Sequence, residues 1–189
     1  MNKHNIKALL RQGADEKNRI LCRTYFKYDE NYFYFFPLEV SDKFFLGVEE
    51  DDFILDGYTV RRIKDIKKVE HKNDICLEIL KKEGITDNIE VPDIKLKSWK
   101  SIFKELRKMD RNIIIEKEYI DGAFYIGRIE EVYSDYLIFR HFDGDGNWLS
   151  RPYRIFYEHI TSVTWGSRYV DIFSKYIGEP PEEKEEHDL

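Results

Sequence analysis

The apolar positions of this chain switch between two periods, and the switches divide it into elements. Ile6, Leu9 and Leu10 fall at helical spacing and the pattern breaks at Gly13, predicting a short amphipathic helix. In "SWKSIFKELRKMD", Ser98 stands at an N-cap position and Trp99, Ile102, Phe103 and Leu106 form one apolar stripe, predicting another. Behind each helix come segments rich in aromatic and β-branched residues, bounded by turn formers, which read as strands. The first half supplies "ILCRTYFKY", "YFYFFPLEV", "FFLGVEE", "YTVRRI" and "IKKVEH", with turns expected at 29–31, 41–43 and 55–57. The second supplies "NIIIEKEYI", "AFYIGRIEEVY", "YLIFRHFD", "WLSRPYRIFY" and "ITSVTW", with a turn at Asp121 and Gly122. Each half then returns to a helical period. Ile75, Cys76, Ile79 and Leu80 share a face up to Gly84, and Tyr169, Ile172, Phe173 and Tyr176 share one up to Gly178.

The halves correspond residue by residue. Sliding "YRIFYEHITSVTWGSRYVDIFSKYI" (153–177) back by 94 positions sets Ile160 on Ile66, Val163 on Val69, Tyr169 on Ile75 and Phe173 on Ile79 without a gap. Val40 and Phe44 likewise stand 92 residues before Val132 and Tyr136. This predicts a duplicated unit in a mainly β fold with short helices: two tandem five-stranded small barrels, each with a leading and a closing helix. The first occupies residues 1–84 and the second residues 98–178, which are expected to fold alone. Residues 85–97 form a linker or an edge strand limited by Pro92. Residues 179–189 carry six acids and one lysine and are expected to be a disordered acidic tail.

Charge lowers the prior for nucleic acid without removing it. The net charge is −6, with 22 Lys and Arg against 21 Asp and Glu in residues 1–110, and 9 against 16 in residues 111–189. Polyanion binding needs clustered positive charge, so a basic groove linking the two units on the folded surface would favour RNA. The two cysteines, Cys22 and Cys76, read as small buried hydrophobes in a reducing, cytoplasmic setting rather than a disulfide. The longest apolar stretch, "YFYFFPL", is far below the roughly 20 residues that span a bilayer.

"GRIEEVYSDYLIF" (127–139) and "YEHITSVTWGSR" (157–168) resemble the two sequence motifs of the bacterial Hfq RNA chaperones, and the order of helix and five bent strands with a glycine on the second resembles the Sm-like or SH3-type barrel. The resemblance implies a base-stacking role for Tyr136 and polar RNA contacts from Tyr157 and His159. It departs from the family at Glu158, which stands where the motif has lysine, and the first copy reads Ile63, Lys64, Asp65 at the aligned trio.

Other candidate chemistry resolves into structural roles. "FDGDGNW" spaces Asp143, Asp145 and Asn147 like the opening of a calcium loop, but Trp148 and Arg154 occupy the positions that need glycine and a bidentate acid, so it reads as a polar hairpin turn. In "SRY", Ser167 is expected to cap a helix, Tyr169 to enter the core and Arg168 to pair locally, with a ligand contact by Arg168 as the alternative. No catalytic set, cofactor motif or metal-ligand spacing is present, and the expectation is a non-enzymatic binding module. Interaction with an unidentified protein partner or assembly comes first. RNA binding through Tyr136, Tyr157 and His159, with Lys64, Lys67 and Lys68 of the first copy, is the alternative, and Arg168 is a further candidate binding residue. A helix closing each unit should cover its edge, giving a monomer or dimer rather than a ring.

Overall fold

All ten predicted strands form, and they join into one antiparallel sheet. The computed structural model describes residues 1–180, so the expected disorder of the acidic tail lies outside the described residues from position 181 onward. In the first half, β1 (Leu21–Phe26), β2 (Tyr32–Val40), β3 (Phe44–Asp51), β4 (Ile54–Arg62) and β5 (Ile66–Lys72) stand in the order β5-β1-β2-β3-β4. In the second, β6 (Ile113–Glu116), β7 (Phe124–Val132), β8 (Tyr136–Phe142), β9 (Tyr153–Phe156) and β10 (Ser162–Trp165) stand in the order β10-β6-β7-β8-β9. Numbered from each half's own first strand, the two orders are the same.

Separate barrels are not what these strands build. β10 pairs with β6 on one side and with β4 on the other, setting Val163 opposite Val60 and Trp165 opposite Tyr58. The pairing satisfies backbone groups that two isolated units would each leave open at an edge. The result is an open sheet of ten strands whose outer members are β5 and β9.

The four helices start where a side chain caps them. Asn2 accepts from Asn5 N–H before α1 (Lys3–Gly13), and Asp74 from Cys76 N–H before α2 (Ile75–Lys82). Ser98 and Ser101 exchange hydrogen bonds at the start of α3 (Trp99–Lys108), and Ser167 caps α4 (Arg168–Ser174) through Val170 N–H, as expected. None is long and apolar enough to cross a membrane among the described residues. α1 lays Ile6 and Leu10 onto a cluster of Cys22, Phe26, Phe35, Phe45, Ile66 and Val69. α3 buries Trp99, Ile102, Phe103 and Leu106 in a larger cluster that runs without a break from Leu46 and Val60 in the first half to Leu137 and Val163 in the second.

Several local expectations shift by a residue or two. α2 buries Leu77 and Leu80 and leaves Ile75 and Cys76 exposed, so only Cys22 is a buried cysteine. Both thiols are free, and burial pushes that of Cys22 up to about 12. α4 packs Val170, Phe173 and the following Ile177 against Ile114, Ile126 and Phe142, while Tyr169 points outward at 54% exposure instead of entering the core. Apolar spacing fixes the period of a helix, but the direction in which the chain leaves the preceding strand decides which of two adjacent residues faces inward. Residues 85–97 form a single 3-10 turn, Ile85–Asn88, and no strand; Ile89, Ile94 and Leu96 plug into the shared core.

The expected turn at 55–57 is displaced as well. The β3–β4 hairpin reverses at Asp52 and Phe53, both at positive φ, and Asp56–Gly57 instead sit in a bulge inside β4. Gly57 has φ 83°, and a Cβ there would lie 2.7 Å from the Gly166 carbonyl carbon and closer still to Ser167 N. The dipeptide that looked like a turn signal thus lets the start of α4 approach the sheet, where Asp56 accepts the Arg168 backbone N–H at 2.6 Å.

One face of the β4–β10 junction carries a polar layer over a cavity of about 540 Å³. Arg61 stacks on Phe26 at 4.2 Å and donates to Glu118 at 2.6 Å. Glu49 lines the same cavity, and its carboxylate has no hydrogen-bond or ion-pair partner among the described residues. Burial pushes its carboxyl up to about 7, partly opposed by Arg61. Because the folded value lies above the ordinary value of about 4.5, the folded chain holds this proton more tightly than the unfolded one. The contribution of this group to stability is therefore fully present below about pH 4.5 and is lost as pH rises through about 7. Glu49→Gln should raise the melting temperature at pH 8 and barely change it at pH 4; equal effects at the two values would show that Glu49 ionises freely.

A candidate ligand cleft between the halves

Four turns meet at one end of the sheet junction. In the first half Ile63 N–H donates to Lys43 O at 2.8 Å, tying the turn between β2 and β3 to the 3-10 turn Ile63–Asp65 between β4 and β5. In the second, Tyr157 N–H donates to Asp135 O at 2.9 Å, tying the turn between β7 and β8 to the 3-10 turn Tyr157–His159 between β9 and β10. These are the same two bonds under the offsets of 92 and 94 residues read from the sequence. The starts of α1 and α3 close over the turns, leaving a cleft of about 650 Å³.

Its floor is aromatic and crosses the junction. Phe44 meets Trp99 edge-on at 4.7 Å, Trp99 stacks on Phe103 at 5.6 Å, and Phe103 stacks on Tyr157 at 5.8 Å. Phe44, Trp99, Tyr157 and Ile63 line the cleft, and Phe103 holds the two large rings from behind. Tyr157 is half-buried with its hydroxyl donating to Tyr133 O at 3.1 Å; burial pushes its phenol up to about 12, so it stays neutral.

The rim is cationic. Lys3, Lys7, Lys43, Arg62, Lys64 and Lys100 line it against two acids, Asp42 and Glu158. Three of the six cations are engaged internally. Lys7 pairs with Asp42 at 3.0 Å, Arg62 pairs with Asp65 and donates to Glu158 O at 3.0 Å, and Lys3 donates to Ile66 O. Burial lowers the pKa of Lys3, with Lys27 adding to the effect and Asp65 opposing it. Lys43, Lys64 and Lys100 have no ion-pair or hydrogen-bond partner for their ammonium groups among the described residues.

A scan of family models and searches of curated proteins and of solved structures found no match. The candidate site therefore rests on its own geometry.

Of the residues singled out in the sequence, Tyr157 and Lys64 reach the cleft. Glu158 also reaches it, from the rim. Tyr136 lies outside, stacked on Tyr133 at 4.6 Å with Arg154 over its ring at 4.8 Å. His159 turns away to Tyr119, its Nδ1 2.7 Å from the phenol oxygen. Arg168 stands exposed at the start of α4, held by its backbone N–H on Asp56, with no side-chain ion pair among the described residues. Lys67 and Lys68 lie on β5 away from the cleft, and Lys68 pairs with Glu70 at 2.7 Å. In the turn "FDGDGNW", Asp143 Oδ1 accepts from the backbone N–H groups of Asp145 and Asn147 and so serves its own loop.

Sequence reasoning missed Lys3, Lys7, Lys43, Arg62 and Lys100. For Lys43 a signal existed: it stands in the turn equivalent to that of Asp135, and the two halves could have been compared turn by turn for opposite charge. The helix lysines looked like any solvated face.

Proposed function

We propose that this chain is a non-enzymatic binding protein that takes single-stranded RNA into the cleft, and that it is built from two Sm-like units fused edge to edge. The observation that carries the reading is a cationic rim around an aromatic floor, formed where the turns of both halves meet. Ammonium groups attract phosphates, and the half-buried Tyr157 ring offers a base a surface to stack on, with Phe44 and Trp99 buried behind it, so the combination suits a flexible strand with unstacked bases. The equal strand orders and the repeated turn bonds support the Sm-like part of the reading. Most of the net charge of −6 belongs to residues 179–189, with six acids and one lysine, and without them the chain is close to neutral.

Fluorescence anisotropy with a labelled uridine oligomer tests the proposal. Binding should saturate and weaken with salt. If the three unpaired lysines each offset about one unit of phosphate charge, log K should fall against log salt with a slope of about −2. Replacing Lys43, Lys64 and Lys100 with alanine should flatten that slope and reduce affinity by at least about tenfold in low salt. Binding that is unchanged by the triple replacement would remove the cleft from the account.

One observation favours protein assembly as a second reading. Among the described residues β5 and β9 leave their outer backbone groups without a strand partner, and such edges can pair with another chain. A monomer or dimer is the proposed state, and light scattering across a concentration series would separate it from a larger assembly.

A further inference from the structure

We infer that the cleft is an end-binding site: it takes a terminal phosphomonoester together with one or two attached nucleotides, and does not track along a strand. The inference rests on the reading of the cleft as a nucleic-acid site and narrows its ligand.

Three observations lead there. The first is charge left over. Lys7 and Arg62 have carboxylate partners and Lys3 spends a donor on the neutral Ile66 carbonyl, whereas Lys43, Lys64 and Lys100, from the β2–β3 turn, the Ile63–Asp65 turn and the start of α3, keep all their donors for a ligand. Three ammonium groups without a partner among the described residues, from three segments, line one small volume. A phosphodiester brings a single negative charge, whereas a terminal monoester brings between about 1.5 and 2 near neutral pH and three free oxygens for three donors. The second is size. A volume of about 650 Å³ is typical of pockets for small molecules, roughly 300–1,000 Å³, and leaves room for one or two nucleotides rather than a run of them.

The third is what stands on the other side. The second half supplies Glu158 to the rim, its side chain 78% exposed, and places Asp135 and Glu131 in and beside the adjoining turn. A strand continuing past Tyr157 would bring successive phosphates toward these carboxylates. The cleft is thus positive at the β2–β3 turn, the Ile63–Asp65 turn and the start of α3, and negative beside the Tyr157–His159 turn where a longer ligand would leave, a polarity that favours a terminus over an internal segment.

Isothermal titration calorimetry on the full chain, with unlabelled probes, tests this. The probes are a uridine dinucleotide carrying a 5′-phosphate, one carrying a 3′-phosphate, one with hydroxyls at both ends, a hydroxyl-ended dodecamer, uridine monophosphate and inorganic phosphate. At least one phosphate-ended dinucleotide should bind about tenfold or more tighter than the hydroxyl-ended one, and the dodecamer should gain nothing beyond the statistical factor for its extra registers. Comparison of the two phosphorylated dinucleotides with the mononucleotide identifies whether a 5′ end, a 3′ end or a free nucleotide is preferred. Lys43→Ala, Lys64→Ala and Lys100→Ala alter exposed or half-exposed side chains, and together they should abolish the advantage of the terminal phosphate. A dodecamer that binds far tighter than every dinucleotide, whatever its ends, would overturn end-binding while leaving RNA binding intact. Inorganic phosphate binding as well as the nucleotides would overturn it in favour of a bare anion site. No binding by any probe would remove the nucleic-acid reading altogether.

Discussion

Residues 98–178, expressed without the rest of the chain, should show no cooperative melting. The sequence suggests the opposite, because this segment contains a complete set of five strands with its own leading and closing helices. The difference lies at β10. In the whole chain it is an interior strand, with β4 on one side and β6 on the other. Trp165 stacks on Tyr58 at 5.7 Å, Thr59 donates through its hydroxyl to Val163 O, and Val60 lies across from Val163. Removing residues 1–97 makes β10 an unprotected edge and strips Phe44 from Trp99. Each large apolar side chain that returns to water costs about 1.5–3 kcal/mol, and a domain has only about 5–15 kcal/mol to lose. Thermal unfolding followed by far-UV circular dichroism would decide it. A sharp, reversible transition in the fragment would show that the halves are independent despite the shared sheet.

A single methyl group at Gly127 should lower stability more than a typical point substitution does. This is the glycine of the second strand in the second half, where it opposes Ile113 on one side and His141 on the other. A Cβ there would lie 2.6 Å from the His141 Cα and closer still to the carbonyl oxygen of Arg140, both backbone atoms of β8. Backbone cannot swing aside as a side chain can, so β7 and β8 must separate or the strand must bend. Overpacking of this kind costs about 1–3 kcal/mol when neighbours relax and more when they cannot, which places Gly127→Ala at the upper end. For a chain of this size, a loss of about 3 kcal/mol lowers the melting temperature by roughly 6–12 °C. Gly144→Ala is the matched control: nothing lies within 4 Å of the added carbon, and its melting temperature should stay within about a degree or two. Equal behaviour of the two variants would contradict the close approach.

The elements of the fold were legible because they depend on local pattern. The stripe of Trp99, Ile102, Phe103 and Leu106 has only one helical reading, and Ser98 before it marks the start. The fusion of the halves was not legible, because the pairing of Val60 with Val163 is a long-range choice between an open edge and a covered one, and alternation within each strand is the same in either case. The same reason hid the roles of Asp56 and Gly57. Their dipeptide allows positive φ, and sequence shows only that the freedom exists, whether a turn or the approach of α4 uses it.

The site was half legible. Tyr157 could be picked out because its motif resembles a known one, and Lys64 because it aligns with that motif in the other copy. The cleft itself depends on α1 and α3 closing over four turns from both halves, and helix-borne lysines acquire meaning only once that arrangement exists. Tyr136 lies outside the cleft for a related reason: its ring packs against Tyr133 and under Arg154 within its own half.

The central claim is that nucleic acid enters between the halves, and photocrosslinking locates it most directly. An oligomer containing 4-thiouridine, irradiated on the full chain and mapped by peptide mass spectrometry, should attach to the segment bearing Tyr157 and to the start of α3 at Trp99 and Lys100. The yield should fall sharply when Lys43, Lys64 and Lys100 are replaced by alanine. Crosslinks confined to Tyr136 or to the β5 segment with Lys67 and Lys68, and indifferent to that replacement, would place the ligand on another surface and contradict the account.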